Sequence, residues 1–169
     1  MGGHRVPKDH RRVAAYGDVD ETNAAIGAAR ATPPFDLADL LLGDIQGDLF
    51  AIGGALASPE PARLSAARRA KVAVTPARVR ALEKAIDAAE RELAPLRHFV
   101  LPAGAPKAAA LHVARTVCRR AERAVVRLTR EERVAGGRTI VIYLNRLSDL
   151  LFVLARQANR RAGEPDVAW

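Results

Sequence analysis

Apolar residues recur every three to four positions along most of the chain, and the rhythm breaks at prolines and glycines. Five helices follow from that punctuation. The first is predicted from about Asp9 to Ala31, ending before Pro33-Pro34, because proline cannot continue a helix and disfavours helix in the residue before it. The second, about Phe35 to Ala57, carries Leu41, Ile45, Leu49, Ile52 and Leu56 on one face and stops at Ser58-Pro59. Thr75-Pro76 opens the third, which runs to about Leu93. The fourth spans about Lys107 to Glu132, and the fifth about Thr139 to Ala162, with Gly163 as its stop. Residues 58–74 are basic and lack a sustained period, so they read as a mobile surface loop. The segment from His98 to Pro106 is apolar yet cannot be helical, and is expected to pack against something.

A step of 100° per residue sorts the fourth predicted helix into three faces. Leu111, Ala114, Cys118, Ala121, Val125 and Leu128 form a core stripe. Beside it run Arg115, Arg119 and Glu122, and beyond them Arg120, Arg123, Arg127 and Arg130 make a wholly basic arc. Arginines bordering a core stripe cannot both be buried without anionic partners, so Arg115 and Arg119 require a carboxylate, a phosphate or both. On the first helix Val13, Tyr16, Asp20, Asn23, Ala24 and Gly27 share a face, which sets Asp20 among apolar neighbours and turns Asp18 and Glu21 away. The fifth helix pairs a core stripe of Ile140, Tyr143, Leu144, Leu147, Leu151 and Leu154 with a second face of Asn145, Asp149, Phe152 and Arg156. A buried polar network fixing helix register would use these residues without any ligand. Their concentration on three helices favours a phosphate-binding site.

Composition supports the helical reading. Of 169 residues, 49% are hydrophobic, 27% charged and only 4% aromatic, which fits one all-α globular domain folded as an up-and-down bundle. The single cysteine, Cys118, excludes an internal disulfide and a cysteine-based zinc cluster and fits a reducing compartment, so the cytoplasm is expected. The longest apolar run, Leu49 to Ala57, is far shorter than the roughly 20 residues of a membrane span, so neither secretion nor membrane insertion is expected.

The net charge of +8 points to an anionic partner. Eight Arg and three Glu between Arg115 and Arg138 give that stretch +5 of the total. Its outer arc reads as a solvated face, because neither interleaved aromatics nor a helix-turn-helix pattern accompanies it. His4, His10, His98 and His112 lack the Glu-x-x-His repetition of a di-metal bundle, so no protein-held metal is expected. His112 is expected to be packed, and Cys118 to be an inert small hydrophobe.

Four ordered blocks carry a resemblance. Residues Tyr16 to Asn23, Phe99 to Gly104, Leu111 to Arg123 and Tyr143 to Asp149 resemble the signature blocks of PduO-type ATP:cob(I)alamin adenosyltransferases, and the likeness runs from Gly2 to Trp169. The resemblance implies a ferritin-like five-helix bundle spanning 1–169 as one domain, a homotrimer, and an active site at each subunit interface. It implies transfer of the 5′-deoxyadenosyl group of ATP to cob(I)alamin, with Mg²⁺ accompanying the nucleotide and neither nucleic acid nor membrane as partner. A corrinoid reductase or a cobalamin-dependent mutase is the implied protein partner. By position, Arg115 and Arg119 would contact ATP, and Arg115 would also pair with Asp20 of a neighbouring subunit. Glu122 and Asn145 would orient the nucleotide, and Lys8 would approach its phosphates. Phe99 would form an apolar wall that excludes the lower cobalt ligand.

One departure from the family pattern concerns the start. Members carry a T-G-D-x-G-x-T segment that wraps the triphosphate, whereas this chain opens at Met1-Gly2-Gly3, and residues 1–8 read as a remnant of that segment. Either the true start lies upstream or ATP binding is impaired. Two other readings stay open beside the enzyme: a non-catalytic cobalamin-binding carrier and a basic helical nucleic-acid-binding module.

Overall fold

His10 begins the first helix, its Nδ1 accepting a hydrogen bond from the Arg12 amide at 3.2 Å. The structure, a computed structural model, describes residues 6–58 and 64–169. Its helices are α1 (Arg11–Arg30), α2 (Leu37–Leu56), α3 (Ala66–Lys71), α4 (Pro76–Glu90), α5 (Pro106–Glu131) and α6 (Gly137–Arg161). The five long helices correspond in order to the five predicted ones, with ends displaced by one to three residues. None is long and apolar enough to cross a membrane.

The starts of the long helices use different devices. Asp36 and Asp39 form a reciprocal capping box at α2, with the Asp36 carboxylate accepting from Ala38 N at 2.9 Å and Asp39 accepting from Asp36 N at 2.7 Å. Thr75 stands at the N-cap of α4 without a side-chain cap bond, so Pro76 in the first turn supplies the preorganisation. Pro106 does the same for α5.

α5 is the central element. It packs on α1 along one side and α6 along the other, with α2 against α1 and α4 against α6. Both predicted core stripes are buried, that of α5 from Leu111 to Leu128 and that of α6 from Ile140 to Leu154. Polar anchors pin the bundle. Lys107, only 2% exposed, donates to the Pro34 carbonyl at 2.8 Å and to both Asp39 oxygens at 2.8 and 2.7 Å. Tyr143 donates its hydroxyl to Asp48 at 2.9 Å, and Arg78 pairs with the same carboxylate.

Three expectations need correction. The segment read as loop contains α3, capped by Ser65, which accepts from Arg68 N at 3.3 Å. Because α3 buries no residue, it has no apolar stripe to announce it. On α1 the buried face is Arg12, Ala15, Val19, Thr22, Asn23, Ile26 and Ala29, so of the expected face only Asn23 is buried and the rest of the face is rotated by about 100°. Asp20 is therefore exposed, and Asp18 and Glu21 face Arg120 of α5, with an Asp18–Arg120 separation of 3.5 Å and a contact between Glu21 and Arg120. Arg120 stays exposed on the outer arc, as expected, while pairing with these carboxylates beside the α1–α5 contact. Of the expected remnant 1–8, residues 1–5 lie outside the described residues, and Lys8 sits exposed in a turn before α1.

Candidate active site

Arg115 and Arg119 lie one turn apart on α5, and both project into a cavity of about 790 Å³ bounded by α4, α5 and α6. From α6 come Arg146, Asp149 and Phe152; from α4 come Glu83, Asp87 and Glu90, spaced i, i+4, i+7 on one face. The Arg115 guanidinium stands over the Phe152 ring, 5.9 Å from its centroid, and its Nε is buried without a hydrogen-bond partner. Burial, and after it the neighbouring Arg119 charge, lower the pKa of Arg115 from its usual value. Two cations held this close, one partly dehydrated, make a strong site for an anion.

Behind this pair, Glu122 accepts from Asn145 Nδ2 at 3.1 Å, so these two residues meet each other across the α5–α6 seam. Cys118 is buried, its thiol donating to the Leu144 carbonyl at 3.3 Å, and burial raises its pKa far out of the reactive range. The buried His112 ring packs against Phe152 with centroids 6.0 Å apart, and neither of its ring nitrogens has a hydrogen-bond partner. Among the described residues, no three His, Cys, Asp or Glu side chains gather as a metal site.

The apolar loop after α4 forms a second feature. The C-terminal segment returns beside it: Val100 bridges Ala168, Leu101 N donates to Val167 O at 2.8 Å, and Trp169 N donates to Phe99 O at 3.0 Å. Asn159 of α6 clamps the far end of the loop, donating to Ala103 O at 3.1 Å and accepting from Ala105 N at 2.9 Å. Gly104 between them has φ +107°, and a Cβ there would lie 2.1 Å from Asn159 Oδ1. The loop is fastened through its backbone, which leaves Phe99 80% exposed in edge-to-face contact with an equally exposed Trp169, centroids 6.5 Å apart. The expectation that the loop packs holds for its backbone and not for its aromatic side chain.

Comparison with known proteins decides the family. The Cobalamin adenosyltransferase family matches residues 1–158. The chain belongs to that family. This adenosyltransferase chain is 44% identical over 169 residues to a cobalamin adenosyltransferase of Cupriavidus metallidurans, covering 99% of the chain and 85% of the relative. It is 42% identical over 171 residues to the corrinoid adenosyltransferase of Bacillus subtilis, covering 99% and 84%. Its fold is similar, with a TM-score of 0.87 and 38% identity over 97% of this chain and 88% of the other, to a variant PduO-type ATP:corrinoid adenosyltransferase from Lactobacillus reuteri complexed with cobalamin and ATP.

Of the residues expected in the adenosyltransferase site, Arg115 and Arg119 share the cavity, and Glu122 and Asn145 bind each other behind it. Phe99, Lys8 and Asp20 do not line it. Asp20 forms no ion pair with Arg115 inside the chain, and Arg115 has none with any described carboxylate. The α4 carboxylates and Trp169 escaped the sequence reading. The spacing of Glu83, Asp87 and Glu90 was visible, but nothing local said that α4 would face Arg115; the contact of Trp169 with Phe99 is a pairing across the chain with no local signal at all.

Proposed function

We propose that this chain transfers the 5′-deoxyadenosyl group of ATP to cob(I)alamin. The Co(I) electron pair attacks C5′ of ATP, the C5′–O bond breaks, and triphosphate leaves with the bonding pair, giving adenosylcobalamin. The observation that carries this reading is the pair Arg115 and Arg119 in one cavity without an ion-paired carboxylate among the described residues. Because the nucleophile is the substrate's cobalt, the protein's tasks are alignment of C5′ with cobalt and neutralisation of the departing triphosphate.

The remaining residues take the roles that the resemblance to the family implies. Glu122 and Asn145, already bonded, orient the nucleotide. Lys8 stands near the C-terminal end of α5, where His10 lies 3.8 Å from Glu132, so its approach to the phosphates requires a site formed with a neighbouring subunit. Phe99, joined by Trp169, offers the cobalt an apolar neighbour in place of water or a lower ligand. The exposed Asp20 and the carboxylate-free Arg115 support an ion pair between subunits, and with it a trimer whose sites lie at the interfaces. Mg²⁺ then belongs to the triphosphate, since phosphate oxygens and water satisfy it without a protein cage. Such a reaction needs a reductant to supply Co(I), which a corrinoid reductase would provide, and a cobalamin-dependent mutase is one kind of enzyme that uses the product.

Anaerobic incubation with ATP, Mg²⁺ and chemically reduced cobalamin, followed by the visible spectrum, tests the reading. Formation of a light-sensitive adenosylcobalamin spectrum is expected. A perturbed Co(II) spectrum without turnover would identify a carrier, and steeply salt-dependent DNA binding with neither would identify a nucleic-acid module.

A further inference from the structure

On the polar-aromatic face of α6, Asp149 and Phe152 line the arginine cavity and Asn145 meets Glu122, while Arg156 takes no part in either. Only 8% exposed, Arg156 donates from Nε to Asp166 Oδ2 at 2.7 Å and from Nη2 to the Ala94 carbonyl at 2.8 Å. Ala94 precedes the loop that carries Phe99, and Asp166 lies three residues before Trp169. A buried guanidinium costs free energy that an apolar side chain of similar size would not, so its presence calls for a task. Its planar fork fixes the separation and angle of two partners, which a single ammonium cannot do. Asp166 depends on it in turn. The other oxygen, Oδ1, is buried without a hydrogen-bond partner, so among the described residues the carboxylate is compensated by Arg156, and without it Asp166 would turn to water and draw its segment along.

The residues that follow Asp166 build the aromatic wall. Val100 and Ala168 form an isolated antiparallel bridge, flanked by the bonds from Leu101 N to Val167 O and from Trp169 N to Phe99 O. So short a pairing is marginal in water by itself. Two exposed rings in edge-to-face contact gain little from burial, so the backbone has to hold them in place. Asn159 fastens the far end of the Phe99 loop; Arg156, one turn earlier on the same helix, fastens its near end and the returning segment together.

We propose that Arg156 is a positioning residue for adenosyl transfer: through Asp166 and Ala94 it holds the C-terminal segment against the Phe99 loop, and so sets the Phe99–Trp169 pair that faces the corrinoid. The inference rests on the adenosyl-transfer reading and gives Arg156 no contact with either substrate. Release of the clamp lets the segment swing out and leaves the cobalt open to water or a lower ligand, so the loss falls on turnover and corrinoid affinity and spares ATP affinity. Removing a charge-assisted contact changes the docked-to-undocked ratio by about 10–100-fold.

Trp169 is the single tryptophan of the chain, so its fluorescence anisotropy reports docking of the segment with no substrate present. In Arg156→Met, which keeps most of the apolar stem, anisotropy should fall, kcat should fall about tenfold or more, and the Michaelis constant for ATP should stay within about twofold. Asp166→Asn, at a partly exposed carboxylate, should give the same pattern and covers the case in which Arg156→Met does not fold. A covalent bypass separates positioning from any other role of a buried arginine. Val100 and Ala168 form a non-hydrogen-bonded antiparallel pair, whose Cα atoms lie about 4.5 Å apart and within disulfide reach, so Val100→Cys/Ala168→Cys can tie the segment down. Oxidised, that pair in the Arg156→Met background should restore anisotropy and most of kcat, and reduction should lose both again. Unchanged anisotropy in both single variants, or a lowered kcat that survives the disulfide, overturns the proposal. So does an anisotropy that falls while kcat holds, which would also take Phe99 and Trp169 away from the corrinoid. If the wild-type chain does not transfer, the adenosyl-transfer reading fails, and the dissociation constant of cobalamin, read by quenching of the same tryptophan, still decides whether Arg156 sets a corrinoid surface: a rise of about tenfold in Arg156→Met supports it, and an equal constant overturns it.

Discussion

Gly104→Ala is the substitution whose effect can be worked most directly from the geometry. The new Cβ would sit 2.1 Å from Asn159 Oδ1, well inside contact distance, at a φ of +107° that L side chains rarely adopt. Asn159 would have to leave, and both of its bonds to the loop, 3.1 Å to Ala103 O and 2.9 Å from Ala105 N, would go with it. Two hydrogen bonds at about 1 kcal/mol each, plus about 1–2 kcal/mol of backbone strain, sum to about 3–4 kcal/mol. For a chain of this size that corresponds to a fall in Tm of roughly 6–16 °C. Because the loop carries Phe99, corrinoid turnover should fall as well, while ATP binding at Arg115 and Arg119 changes little. Calorimetry and steady-state kinetics on the variant check both halves. The double variant Gly104→Ala/Asn159→Ala removes the obstruction, so its loss should be smaller than the sum of the two single losses. A Tm within a degree of wild type, or strictly additive losses, would refute the clamp.

Arg119→Ala should lower transfer by about 10²–10³-fold with an unchanged Tm, since it removes charge from the leaving group's side and nothing from the core; equal kcat values would sink that role. Asp20→Asn should weaken subunit assembly about tenfold or more and reduce activity with it, and sedimentation showing an intact trimer at the same concentration would remove the intersubunit pair. Phe99→Ala should lower kcat far more than it raises the Michaelis constant for ATP; the opposite pattern would move Phe99 into the nucleotide pocket. Burial first, then the Arg115 charge, hold the pKa of His112 below the usual 6.5, against a smaller upward pull from Asp166. The unfolded chain therefore takes up this proton first as pH falls, and the contribution of His112 to stability, constant above about pH 6.5, declines below it towards the folded pKa. Urea midpoints at pH 7.5 and 5.5 should show a shallower decline for His112→Phe, and parallel declines would show that another group dominates.

The parts of the structure legible in the sequence are those where side-chain size and period agree. On α5 and α6, large apolar residues at 3-4 spacing leave one orientation, and the border arginines Arg115 and Arg119 could be picked out because they adjoin that stripe. On α1 the true core face contains Ala15, Thr22 and the aliphatic stem of Arg12, which carry little apolar signal, so Tyr16 drew the face 100° away from its real position. The same rotation puts Asp20 on the surface of the chain and not among apolar neighbours. α3 escaped because six basic and small residues with nothing buried form a helix through a serine cap and their neighbours. The bridge between Val100 and Ala168 joins residues far apart in sequence, one backbone pair at a time, and such a contact leaves no periodic trace. The acidic wall on α4 was readable as a spacing, but only the packing of α4 on α6 turns it towards the arginines.

As a store of information, α5 is nearly full. Ten of its 26 residues are buried, among them Lys107, His112 and the stripe from Leu111 to Leu128. Arg115 and Arg119 belong to the cavity, Glu122 to Asn145, and Arg120 to the acidic side chains of α1. Exposed positions such as Val113, Arg123 and Arg127 remain where a substitution can drift at little cost. Packing and chemistry are thus written in the same few turns of helix, in overlapping registers, and a sequence that wanders there risks both at once. Neutral variation has more room in α3 and the exposed turns, where a change touches neither message.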